Sequence, residues 1–231
     1  MGWVGKFVKS SIGAKILMAT SGIMMVGFVL AHMLGNLQIF MGQEPYNAYA
    51  NFLKSTPELL WPARLGLLAA VSAHIASGMR LAALNRSARG THYSDRRYRY
   101  ASLTSRSMAL SGLVVLSFIV YHLAHFTLGL TDPGHYHLVD AKGRHDVYSM
   151  FIYGFMNPYV TGAYVVAMGL LGLHLSHGVT SMFQTLGLNH PRIDPALKAV
   201  GPLFALAIVI GNVSMPVAVL LGVIQLPGTG A

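Results

Sequence analysis

Four long apolar stretches of this chain each carry histidine: His32, His74, His122 with His125, and His174 with His177. An imidazole at membrane depth is costly, so it normally faces a bundle interior and does something there. Neutral imidazole offers one ring nitrogen as a metal ligand and the other as a hydrogen-bond donor. The chain has no cysteine, which excludes disulfides, thiolate-held iron–sulfur clusters and cysteine zinc sites within it. A redox centre here would have to be held by histidine or methionine.

The elements that must position these histidines follow from composition. The chain has 231 residues, of which 54% are hydrophobic and 10% charged, and each of several apolar runs is long enough to cross a hydrocarbon layer of about 30 Å. The expected fold is therefore a single all-α transmembrane domain, residues 1–231, with five helices at about 16–40, 60–84, 106–130, 159–183 and 200–226. The N-terminal run resembles a signal peptide in its three preceding lysines but is too long for one, so it reads as the first span. Residues 42–59 read as a polar loop. A second loop, 131–157, is long enough to have structure of its own, with Asp146 to Phe155 as an interfacial helix. Proline is tolerated in a first helical turn, which suits Pro62, whereas Pro216 is expected to bend the fifth span.

Net charge is +9. The basic residues lie between apolar spans, where orientation signals belong, and this argues against nucleic acid as a partner. Twelve Lys and Arg fall on the N-terminal side of a five-span bundle, among them Lys6, Lys9, Lys15, Arg86, Arg89, Arg96, Arg97, Arg99 and Arg106, and four on the other: Lys54, Arg64, Lys142 and Arg144. That asymmetry places the N-terminus in the cytoplasm. The arginine-rich stretch suits either lipid headgroups or an acidic soluble partner.

Depth then pairs the histidines. At 1.5 Å per residue, His32 and His122 both lie about 12 Å below the outer ends of their helices, and His74 and His174 lie about 14 Å above the inner ends of theirs. Two level pairs, each drawn from two helices, suit two six-coordinate haems in the bundle core. Bis-histidine ligation leaves no open iron position and points to electron transfer. Gly35, Gly78 and Gly178 follow their histidines on the same helical face and would let a flat macrocycle approach, although close helix packing is an equal reading. His125 and His177, one turn beyond two of the ligands, read as propionate or quinone hydrogen-bonding groups or as packing. His92, His135, His137, His145 and His190 fall in loops.

The motifs Ala31-His32-Met33-Leu34-Gly35-Asn36, Ala73-His74-Ile75-Ala76-Ser77-Gly78, Tyr121-His122-Leu123-Ala124-His125-Phe126 and Leu173-His174-Leu175-Ser176-His177-Gly178 come in order along nearly the whole chain. The pattern resembles the membrane-anchor cytochrome b subunit of succinate dehydrogenase and fumarate reductase, of the single-chain, five-helix, dihaem type. The resemblance implies two haem b groups, one held by His32 and His122 toward the outer face and one by His74 and His174 toward the inner. It implies a flavoprotein and an iron–sulfur subunit as cytoplasmic partners, with menaquinone or another quinone as substrate. The chain would then be a non-catalytic electron-transfer and quinone-reactive subunit in the bacterial cytoplasmic (inner) membrane. Some members of the family carry a glutamate at the quinol site, and Glu44 and Glu58 lie nearby without the family's spacing. A dihaem cytochrome serving a hydrogenase or formate dehydrogenase, and a transporter using a histidine relay, are the competing readings.

Overall fold

The computed structural model describes residues 2–87, 107–188 and 190–228. The arginines at 89, 96, 97, 99 and 106, together with His92, lie outside the described residues.

The chain is all-α. A short helix α1 (Trp3–Lys9) leads into α2 (Ser11–Asn36), which begins where the Ser10 hydroxyl accepts from the Gly13 amide at 2.9 Å, a serine cap of the usual kind. The first span ends in a 3₁₀ turn, Leu37–Met41. Gly42, at φ 96°, then turns the chain into α3 (Gln43–Ser55). The second span is α4 (Pro57–Ser87), and the third is α5 (Met108–His122) with a π-helical turn over Leu123–Thr127. A short α6 (Pro133–Tyr136) and α7 (Val147–Met156) precede the fourth span, α8 (Pro158–Thr185), and the fifth, α9 (Asp194–Leu220). Among the described residues, five helices are thus long and apolar enough to cross a membrane.

The boundaries move by a few residues from those expected, and one connection is of a different kind. Residues 43–55, expected as loop, form α3, because Tyr46 and Asn47 on one face are buried while Glu44 sits favourably in the first turn. α7 forms where an interfacial helix is expected, and most of it is covered by the rest of the chain: Tyr148 to Ile152, Gly154 and Phe155 are all buried. It packs with α3 and the end of α9 to close one end of the bundle around Ile39, Tyr46, Phe151, Phe155, Tyr164 and Met215. The fifth span runs as continuous helix through Pro202 and Pro216.

Packing within the bundle is uneven. In the fourth and fifth spans 33% of the most apolar window is buried, against 11% in the second and third. Small residues explain the tight pair: at Gly201 a β-carbon would strike Thr180 and the Ser176 carbonyl, so the backbones meet there only because the side chain is absent. The first span packs along the second, and the third against the fourth. The helices that carry the expected ligand pairs, first with third and second with fourth, do not pack closely on one another among the described residues. Any bridge between them has to be made by side chains.

Candidate functional site

Histidine side chains make that bridge, at two levels. The rings of His32 and His122 have centroids 5.7 Å apart and planes at 89°. Those of His74 and His174 are 6.3 Å apart with planes at 60°. The four residues expected to pair are brought together in the expected couples. The first couple lies toward the capped end, closed by α3 and α7; the second lies toward the end where the chain begins, the open end, which has no such cap among the described residues.

At the open end both rings are held by their δ nitrogens. His74 Nδ1 lies 3.2 Å from the Met18 carbonyl oxygen. A carbonyl can only accept, so Nδ1 carries the proton and Nε2 keeps its lone pair. The Ser21 hydroxyl, whose own hydrogen goes to the Leu17 carbonyl at 2.6 Å, lies 3.4 Å from the same nitrogen. His174 Nδ1 is 3.2 Å from the Ser111 hydroxyl oxygen, which donates to the Met108 carbonyl at 3.2 Å and therefore accepts from the imidazole. Ser21 and Ser111 are both 4% exposed, which keeps water from competing for these bonds. Glycines border both rings: a β-carbon at Gly22 would lie 3.7 Å from His74 Cε1, and one at Gly112 would lie 3.4 Å from His174 Cε1, both ordinary contacts.

At the capped end the hydroxyl of Tyr164, on the fourth span, lies 3.3 Å from His122 Nδ1 and 3.1 Å from His125 Nδ1. One phenol therefore touches two imidazoles. His32, among the described residues, has ring contacts alone, stacking on Phe28 at 5.3 Å and meeting His122 edge-on. Its helix is fixed instead by Asn36, which donates to the His32 carbonyl at 2.8 Å and accepts from Tyr46 of α3 at 2.7 Å.

Of the two additional histidines, His125 is buried within the π turn, stacked on Phe126 at 3.9 Å and set edge-on to Phe155. His177 shares a hydrogen bond with Ser181 one turn on, at 3.1 Å. The glycines divide. Gly35 faces Tyr49, whose hydroxyl a β-carbon would approach to 2.7 Å, so it serves helix packing and not a ring-sized space. Gly78 faces the Met18 sulfur, and Gly178 faces open space.

The capped end is closed by charge as well as by apolar packing. Asn47 is fully buried; it donates to Asp146 at 2.9 Å and to Asp140 at 3.3 Å, and accepts from the Tyr148 amide at 3.0 Å. Arg144 bridges Asp140 and Glu44, each at 2.6 Å, and Lys142 adds a second cation to Glu44. The guanidinium beside Asp140 holds its carboxyl down at about 2, and Arg144 followed by Lys142 lowers Glu44. Glu44 is therefore committed to an ion cluster that ties α3 to the loop before α7.

Tyr164, Ser21, Ser111, Gly22 and Gly112 escape a reading of the sequence. A serine within an apolar span carries a weak signal, and the relation of each to a histidine runs between helices.

Two imidazoles bound to one metal, at nitrogen–metal distances of about 2 Å, would have ring centres roughly 6 Å apart, close to both separations seen here. No group of three or more His, Asp or Glu side chains that could hold a metal ion occurs among the described residues. Each pair would therefore need a metal whose remaining positions are filled by something other than the protein, as a porphyrin fills them. No protein-family model matches the chain, and no curated protein or solved structure matches it either.

Proposed function

We propose that this multi-pass membrane protein is a dihaem cytochrome b subunit that carries electrons through the bilayer between a membrane quinone, menaquinone or another, and soluble partner subunits. One haem b would be held by His32 and His122 and the other by His74 and His174. The observation that supports this most directly is the meeting of imidazoles from four separate spans in two couples, at separations that suit one shared metal each. The δ-nitrogen bonds of His74 and His174 support it further, since metal-bound histidine characteristically donates its other N–H to a carbonyl or similar oxygen. Bound haem would supply reversible one-electron chemistry at iron.

The protein's own part is to hold, orient and shield. Met18 and Ser111 fix the tautomer of their imidazoles, so Nε2 is the nitrogen offered. The apolar spans exclude water. Two protein nitrogens committed to each metal would leave substrate no open coordination position, which fits transfer of electrons better than chemistry on a bound molecule. We further propose, from the likeness of the four histidine motifs to the succinate dehydrogenase and fumarate reductase anchors, that the partners are a flavoprotein and an iron–sulfur protein on the cytoplasmic side. On this reading the chain sits in the bacterial cytoplasmic membrane, with the capped end outward.

Purification of the chain with whatever binds it, followed by reduced-minus-oxidised absorption spectroscopy, tests the proposal. The expected result is a b-type spectrum and a co-purifying flavoprotein. A folded preparation without haem would overturn the reading. A nickel or molybdenum partner would transfer it to a hydrogenase or formate dehydrogenase.

A further inference from the structure

The third span does not end as an ordinary helix. After His122 it widens into a π turn over Leu123–Thr127, in which the Leu128 amide donates to the Leu123 carbonyl five residues back at 2.9 Å. Such turns are rare and are often found at functional sites. His125, three residues after His122, lies within this turn, sunk beneath Phe126 and beside Phe155, and it is 5% exposed. The cover is close enough that a β-carbon at Gly154 would come within 2.9 Å of its Nε2.

What this burial achieves is a bond. Tyr164 is 6% exposed and its ring is boxed in by Phe118, Tyr121, Phe126 and Phe155. It has little freedom to turn. Its hydroxyl lies 3.3 Å from His122 Nδ1 and 3.1 Å from His125 Nδ1, and a phenol has one hydrogen to give.

We propose that Tyr164 is a positioning residue for the capped-end haem, taking the Nδ1–H of His122 on its oxygen and giving its own hydrogen to His125. The inference rests on His122 being a haem ligand. If Nε2 is the ligating nitrogen, Nδ1 must carry the ring proton, and Tyr164 has to accept it. Its own hydrogen is then free for His125 Nδ1. All three groups acquire a single consistent orientation, and the direction of the chain runs from ligand to phenol to buried histidine.

An oxygen that accepts from a ligand imidazole makes that ligand a stronger donor to the metal. A phenol that is itself donating is a better acceptor, because neighbouring hydrogen bonds in a chain polarise one another. Tyr164 is thus expected to stabilise the oxidised metal at the capped end and lower its potential, with His125 strengthening the effect. At the open end the corresponding bonds end in a backbone carbonyl and a serine, and His177 is engaged with Ser181 away from them. The two centres are in this way given different potentials by their own ligand partners.

The test is a redox titration of the full chain, in membranes or with its bound partners, following the two haem absorbances separately in wild type, Tyr164→Phe, His125→Asn and the double variant. The expected outcome is haem content kept at two, the capped-end potential raised in Tyr164→Phe, raised less in His125→Asn, and raised in the double variant no further than in Tyr164→Phe alone. The open-end potential stays fixed throughout. If Tyr164→Phe fails to assemble, His125→Asn carries the same test, because it alters the far end of the chain and leaves the phenol in place. Two haems with unmoved potentials would overturn the role given to Tyr164 and leave the ligand assignment standing. Equal movement of both potentials would also overturn it. A wild-type chain that binds no haem would overturn both together.

Discussion

The two ends of the bundle hold the same kind of imidazole couple by different means. At the open end the rings are fixed by groups of neighbouring spans alone: His74 by the Met18 carbonyl and Ser21 of the first span, and His174 by Ser111 of the third. At the capped end the cap takes part as well. His122 meets Tyr164, which is boxed in by aromatic neighbours including Phe155 of α7, and the backbone at His32 is tied through Asn36 and Tyr46 to α3. A site built on neighbouring helices needs little beyond the helices themselves. One built through a cap inherits the cap's stability, and it should be the more easily disturbed from a distance.

If the histidine couples hold haem as proposed, the largest effect should come from the four histidines. Replacing His74 or His174 with alanine should leave one haem per chain, held at the capped end, and replacing His32 or His122 should leave one at the open end. Haem content and the surviving absorbance measure this directly. Loss of both groups from every single variant would mean that the two ends are not separate sites. Next is Asn47→Ala. It leaves Asp146 and the Tyr148 amide short of partners in a buried position, at a cost of about 3 kcal/mol. The capped-end centre should be lost on heating before the open-end centre, and equal loss would remove the distinction drawn above.

A smaller effect is expected from pH. Asp140 in the folded chain titrates at about 2, held down chiefly by Arg144, whereas in an unfolded chain it would take up a proton near 4. A carboxylate depressed in this way stabilises the fold above the unfolded value, and that contribution is lost as pH falls through the folded one. Glu44, lowered by the same arginine, acts in the same direction. Hydrogen exchange should therefore show residues 131–146 loosening as pH is taken from about 4 toward 2, with the spans at the open end unaffected. The smallest effects belong to the serines. Ser111→Ala removes the hydroxyl that His174 Nδ1 meets and should raise the open-end potential. Ser21→Ala leaves His74 its carbonyl and should shift it less.

Much of this was legible in the sequence, for identifiable reasons. Spans are set by hydrophobic length, and histidine is scarce in them, so helix number and the depth of His32, His74, His122 and His174 can be read directly. Their meeting in couples follows once the helices alternate in direction. Relations between helices were not legible. Gly35 shares a helical face with His32, yet that face is turned to Tyr49, while the glycines that border ligand rings, Gly22 and Gly112, belong to other helices than the rings they touch. Tyr164 stands 42 residues from His122 in a helix whose apolar pattern gives no reason to single it out. The helix α3 was hidden because polar residues such as Asn47 and Gln43 suggest a loop; they are buried or bonded here by Asp140 and Asp146, about a hundred residues away in sequence.

The most direct test of the central claim is the haem content of the purified chain, measured as the pyridine haemochrome against protein concentration and joined to a low-spin ferric spectrum. Two non-covalent haem b groups per chain, both six-coordinate and unreactive toward carbon monoxide when reduced, are what four paired imidazoles predict. A folded chain with no haem, or with iron that binds carbon monoxide readily, would contradict the pairing of His32 with His122 and of His74 with His174 on shared metals.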